Sequence, residues 1–205
     1  LFLFELVTGA TNVAEFKRYF YTGILWIILY TKWPVIGIYL YHAALFSCLL
    51  MLSLMDLDRL RCPKWLSGII LCIFAGLSIG IPTLQPVKFY HHLPTDLVSA
   101  IPPSMLPIVT CVAGGLIGWF FASIIQYLSN RKKPIAASGN AFPLAGTLAG
   151  IALGWQATVT ILLFTAVVLA TICVIKQITK KMFLVSETII FSAVAFLHHP
   201  FWRWF

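Results

Sequence analysis

Charge is what this sequence has least of. Asp, Glu, Lys and Arg together make up 10% of its 205 residues, against about 25% in an ordinary soluble domain. A chain so poor in charge cannot cover its surface with polar groups. That excludes a soluble globular fold and leaves lipid to do the covering. Acids are rarest: the six are Glu5, Glu15, Asp56, Asp58, Asp96 and Glu187. Cysteine is sparse too. The five (Cys48, Cys62, Cys72, Cys111 and Cys173) are scattered, with no C-x-x-C pair. A disulfide framework or zinc site is therefore not expected, and these residues read as small buried hydrophobes. No basic stretch precedes the opening Leu1, Phe2, Leu3 and Phe4, so no signal peptide is expected.

What the chain has in abundance is apolar sequence. Hydrophobic residues make up 60% of it, in long runs separated by short basic stretches, which is the pattern of membrane spans and their loops. The expected fold is all-α: one polytopic membrane bundle of six or seven helices over residues 1–205, with no soluble domain. Candidate spans are 19–31, which is short and preceded by Glu15, Lys17 and Arg18, then 35–55, 65–81, 105–129, 141–155, 157–175 and 182–198. The longest loop, 82–104, holds Pro82, Pro86, Pro94, Pro102 and Pro103 and cannot be a continuous helix. His91, His92 and Asp96 within it read as a solvated loop rather than a metal site.

The formal charge is +8, yet the basic residues lie between apolar runs rather than on one face, so nucleic acid is not an expected partner. They fit orientation in a bilayer instead. Of the fourteen Lys and Arg, eleven fall on one side of the alternating spans and three on the other. The richer side should be cytoplasmic, which places the N-terminus inside and the C-terminus outside. The aromatic tail 201–205 then fits an outer interfacial belt. Gly114 and Gly118, and again Gly146, Gly150 and Gly154, recur every four residues. Such rows let helix backbones approach closely, so these two spans are expected at the centre of the bundle.

An ionisable group inside a membrane is costly and marks a candidate site. Asp56 and Asp58 close the second span. Local pairing with Arg59, Arg61 or Lys64 is the plainer explanation of Asp58, whereas for Asp56 an interfacial acid with the same neighbours explains the residue equally well. Glu187 is expected about 7–8 Å inside the last span at 1.5 Å per residue, with snorkelling toward Lys180 or Lys181 as its plainer explanation. His42 reads as a bundle residue, and His198 and His199 as interfacial. Gly139 with Ser138 and Asn140 also reads as an ordinary helix N-cap.

Several pieces resemble the type IV prepilin peptidases, membrane aspartic proteases of the Gly-x-Gly-Asp class. Met55-Asp56-Leu57-Asp58-Arg59, followed by Cys62-Pro63-Lys64-Trp65-Leu66, is similar to their first aspartate motif, with Cys62 and Lys64 in place of Ile and Asp. Phe4-Glu5-Leu6-Val7-Thr8-Gly9 is similar to an upstream stretch. Gly114-Gly115-Leu116-Ile117-Gly118-Trp119 and Gly154-Trp155-Gln156-Ala157 flank the position of the second motif. That second motif departs from the family: the chain has Ala137-Ser138-Gly139-Asn140-Ala141-Phe142-Pro143-Leu144. By motif Asn140 stands at the second Asp; a gapless count back from Gly154 puts Phe142 there. The methyltransferase portion that many members carry does not appear.

The resemblance implies an intramembrane aspartic endopeptidase of the bacterial inner membrane. It would cleave the leaders of pilin or secretion pre-subunits at the cytoplasmic face, with no metal or organic cofactor. Asp56 would be the retained carboxylate, Asp58 secondary, and Asn140 a site position that cannot ionise. Glu187 is the one acid well placed to supply a second carboxylate. Two other classes stay open: a non-catalytic relative that binds membrane helices or secretion components, and a transporter.

Overall fold

The computed structural model describes residues 33–58, 60–81, 84, 102, 104–129, 140–179 and 186–198. The first candidate span, most of the 82–104 loop with His91, His92 and Asp96, the Gly139 side of the second motif, and the aromatic tail lie outside them. Six helices are described: α1 (Trp33–Leu57), α2 (Lys64–Gly80), α3 (Leu106–Ser129), α4 (Ala141–Leu153), α5 (Trp155–Thr179) and α6 (Glu187–His198). There is no strand among the described residues.

Prolines and one glycine set the boundaries. Pro34, Pro107 and Pro143 all fall in the first turns of α1, α3 and α4, where an N–H has no carbonyl partner to lose. Pro63 has the opposite effect. It disfavours helix at Cys62, separates α1 from α2, and becomes the residue that caps α2. The break between α4 and α5 is Gly154, whose φ of 87° lies in the region that side chains disfavour.

Among the described residues three stretches are long and apolar enough to cross a membrane: Gly37–Leu57, Leu106–Ser129 and Trp155–Ile175. The remaining helices are apolar but shorter. Large apolar side chains are exposed along the outer faces, among them Leu50, Ile73, Leu116, Phe120 and Val167, a surface suited to lipid chains rather than water.

α4 is the centre. It touches every other described helix, and Ala141, Phe142, Ala145, Leu148, Ala149, Ala152 and Leu153 are all fully buried. Its partner α3 is not central: one face packs on α4 while Leu116, Trp119, Phe120 and Phe121 stay exposed. The glycine rows explain the pairing. A Cβ built on Gly114 or Gly118 would strike the carbonyl oxygen of Gly150 or Gly146, and one on Gly150 would strike that of Gly114. Only backbone fits between these two helices.

Candidate functional site

Several described helix ends gather at one end of the bundle. Asp56, in the last turn of α1, accepts hydrogen bonds at Oδ2 from the Ser186 hydroxyl and from Thr188 Oγ1 (2.9 Å). Ser186 precedes α6, and its Oγ also accepts the Ile189 N–H at 3.3 Å, an N-cap arrangement. Asp56 therefore faces the positive end of the α6 dipole, where a negative charge is favoured.

A hydroxyl seam continues from it between α1 and α6. Ser53 Oγ lies 2.7 Å from Ser192 Oγ and donates to the Leu49 carbonyl at 2.8 Å. Ser192 Oγ lies 2.8 Å from the Thr188 carbonyl. These bonds fix the register of α6 on α1 and hence where Asp56 sits.

Asn140 stands just before α4. Its Oδ1 accepts the Cys62 N–H at 3.1 Å, and its Nδ2 donates to the Cys62 carbonyl at 3.2 Å. One amide thus copies the two-way pairing of a strand neighbour. It holds the turn that follows Asp56 against the start of α4, 78 residues away in sequence. Cys62 is buried beneath this clasp. Burial pushes its thiol above the ordinary range, and a hydrogen bond with Ser67 partly offsets that.

Phe142, two residues on, is fully buried in the first turn of α4. Its ring meets Phe191 edge-on at 5.8 Å. Thr188 and Phe191 lie three residues apart on α6, so they share a face. The same α6 stripe that holds Asp56 through Thr188 holds the Phe142 ring one turn deeper.

Glu187 is not where the sequence places it. α6 begins at Glu187 itself, with Ser186 outside the helix. The residue is thus in the first turn, not a turn and a half inside a span. Ser186 caps this start, and residues 182–185, where the expected span begins, lie outside the described residues. The Ser129 hydroxyl, at the end of α3, donates to Glu187 Oε1. Asp58 is exposed in the turn after α1.

Asp56, Asn140 and Glu187 therefore belong to one end of the bundle, as the sequence led one to expect, but their contacts differ from a catalytic pair. Asp56 bonds hydroxyls, Asn140 bonds backbone, and Glu187 bonds Ser129. Sequence reading missed Ser186, Thr188 and Ser129. The signal for the first was a Ser immediately before an apolar helical run. Among the described residues no three of His, Cys, Asp and Glu gather as metal ligands would.

No family model, curated protein or solved structure matches this chain.

Proposed function

We propose that this chain is a prepilin-peptidase-like membrane protein that receives the junction between the basic leader and the apolar helix of a pilin- or secretion-type pre-subunit, and binds it without cutting it. In this reading six or seven helices cross the bacterial inner membrane with the N-terminus inside, and the Asp56 end lies at the cytoplasmic face. One observation carries the choice of binding over cleavage. Both residues that fall at the second motif position lack a carboxyl and are committed elsewhere: the Asn140 amide to the Cys62 peptide at both ends, and the Phe142 ring to Phe191.

Aspartic protease chemistry needs two close carboxylates sharing a proton, one to activate water and one to polarise the scissile carbonyl. An amide already bonded at its oxygen and nitrogen does neither. Each acid–base role is worth about 10²–10⁴-fold in rate. Asp56 keeps a different use. At a helix end beside an exposed turn, it offers a carboxylate oxygen to a basic leader.

A second reading keeps the peptidase and gives Glu187 the second carboxylate. It is favoured by the position of Glu187 between Ser186 and Thr188, the two residues that hold Asp56.

The test is a peptide with a basic leader and an apolar helix, incubated with the purified full chain in lipid. Retention of intact peptide, weakened by Asp56→Ala, supports binding. A leader fragment that disappears in both Asp56→Ala and Glu187→Gln establishes the peptidase reading instead. Cleavage that appears only in Asn140→Asp shows a binding protein one residue from an enzyme. Neither retention nor cleavage removes both readings.

A further inference from the structure

Four of the described helices turn large apolar side chains outward along much of their length, and they differ in the charge found where they reach the Asp56 end of the bundle. α2 begins there at Lys64, beside the exposed Trp65 and Ile69. α3 carries Leu116 and Phe120 outward and is followed by Arg131, Lys132 and Lys133. α5 carries Val167 and Val174 outward and leads to Lys176, Lys180 and Lys181. Of the four, α1 alone leads to acids, Asp56 and Asp58. α6 starts at an acid too, but its large exposed residues, Phe196 and Leu197, sit at its other end.

The two acids of α1 face different ways. Asp56 is held against α6 by Ser186 and Thr188. Asp58 is exposed, as are Leu50 and Leu54, and a spacing of four puts the three on one helix face. The Asp58 N–H donates to the Leu54 carbonyl at 3.0 Å, so the helical register carries through to the acid. Leu40 lies at the other end of the same outward face. Midway, Ser47 is exposed, but its hydroxyl turns back to the Ala43 carbonyl at 2.8 Å and leaves the face apolar. From Leu40 to Asp58 the helix rises about 27 Å at 1.5 Å per residue, close to a hydrocarbon core of about 30 Å.

Charge decides what suits this face. A helix C-terminus is negative, and α1 has no base in its last turn to offset the acids there. Arg61 and Lys64 follow in the turn and at the head of α2, so neither is part of α1. Lipid alone suits such an end poorly, because the cytoplasmic leaflet is itself anionic. A helix that starts at this level behind a basic leader suits it well. Its positive N-terminal end and its bases meet the acid and the negative end of α1, and its apolar side lies along Leu54, Leu50 and Leu40.

We infer that the outward face of α1, from Leu40 to Asp58, is where the apolar helix of the pre-subunit docks, antiparallel to α1, with its basic leader at Asp58. This rests on the leader-binding reading and adds to it the face that is used and the residue that selects it. Asp58 draws the leader to α1 rather than to α2, α3 or α5, whose bases repel it, and Asp56 lies beside it in the same helix end.

The probe is the peptide with a basic leader and an apolar helix, bound to the purified full chain in lipid. Retention by the unaltered chain is measured first. A photoreactive phenylalanine derivative then replaces Leu54 on α1 in one variant and Phe120 on α3 in another. The expected result is a peptide adduct from position 54 and little from 120, with the yield at 54 falling severalfold in Asp58→Asn and when serines replace the lysines of the leader. Peptide that is retained but gives no adduct at 54, equal adducts at both positions, a yield at 54 indifferent to Asp58 and to the leader's charge, or an adduct to a second copy of the chain overturns the α1 assignment and leaves the leader-binding reading standing. No retention by the unaltered chain removes that reading and this inference with it. Should the photoreactive variants fail to fold, the affinities of the unaltered chain and of Asp58→Asn for the peptide decide: a severalfold loss that vanishes with the serine leader supports the assignment, and equal affinities overturn it.

Discussion

Asn140 holds the Cys62 peptide by both of its polar ends, with the side-chain amide pairing to N–H and C=O at 3.1 and 3.2 Å. Asn is one of the few side chains able to do this, because it carries a donor and an acceptor side by side. Asn140→Ala removes both bonds and leaves a peptide to find water. We expect a loss of about 1–3 kcal/mol, measured as a fall in the midpoint of thermal or denaturant unfolding in detergent. Asn140→Asp is the sharper variant. Its protonated acid can accept and donate as the amide does, while its carboxylate can only accept and faces the Cys62 carbonyl. Its deficit against the natural chain should therefore be small at acid pH and grow as pH rises; an unfolding midpoint that falls short of the natural chain by the same amount at every pH contradicts the clasp.

Cys62 reports on the same contact chemically. The thiolate is the reactive form, and burial raises the pH at which this thiol gives up its proton. Alkylation by iodoacetamide, read peptide by peptide in a mass spectrometer, should be slow at neutral pH and accelerate only at a pH higher than a free thiol requires. Asn140→Ala should bring that acceleration to lower pH and raise the rate severalfold by opening the turn. Unchanged labelling of Cys62 in that variant would show that the amide does not cover it.

The hydroxyls around Asp56 separate anchoring from chemistry. Thr188→Val keeps the shape and removes one hydrogen bond, at a cost of about 1 kcal/mol. Ser186→Ala removes both an N-cap and an Asp56 partner, and should cost about 1–2 kcal/mol. Both donate to the same Asp56 oxygen, so either one alone still satisfies it, and the double variant, which strips it of both, should lose more than the sum of the singles. Additive losses, measured by unfolding of all three, would place the two hydroxyls in unrelated roles.

How much of this was legible beforehand follows from what each feature depends on. The helices could be read because apolar runs and prolines are local signals: Pro63 splits α1 from α2, and Gly154 splits α4 from α5. The close α3–α4 pairing could be read from the four-residue glycine spacing. That only α4 would be central could not, because spacing shows which face touches and not what lies behind it. The gathering of Asp56, Asn140 and Glu187 at one end follows from alternating helices. Their partners do not, since Thr188 meets Asp56 across 132 residues through the register of α6 on α1. Glu187 was misplaced because hydropathy marks an apolar run, whereas Ser186, outside the helix and capping it, marks where α6 begins.

Phe142 tests whether the second position is a packing site. Phe142→Leu stays apolar and should cost about 1–2 kcal/mol through the space it leaves against Phe191. Phe142→Asp places a carboxyl where no water reaches, and burial disfavours the charged form. The introduced group would have a raised pKa in the folded state, so its neutral form is the compatible one. The variant should be most stable at acid pH and lose stability as pH rises through that raised pKa. An Asp variant as stable as the natural chain at neutral pH, with new leader cleavage, would instead make residue 142 a latent catalytic position.

The glycines give the last contrast, because the same residue type does two different jobs. Gly150 faces the Gly114 backbone so closely that an added Cβ would strike its carbonyl oxygen. Backbone cannot rotate aside as a side chain can, so Gly150→Ala must push α3 off α4 and disturb the centre of the bundle. Gly68 and Gly76 on α2 have nothing within 4 Å of an added Cβ. Alanine there meets open space and improves helix propensity by about 1 kcal/mol. Gly76→Ala should leave the unfolding midpoint equal or higher, and Gly150→Ala should lower it by several degrees or prevent recovery of folded protein. If Gly150→Ala were harmless and Gly76→Ala damaging, the α3–α4 contact would not be what holds this bundle together, and the face of α2 that carries Gly76 would be packed against something.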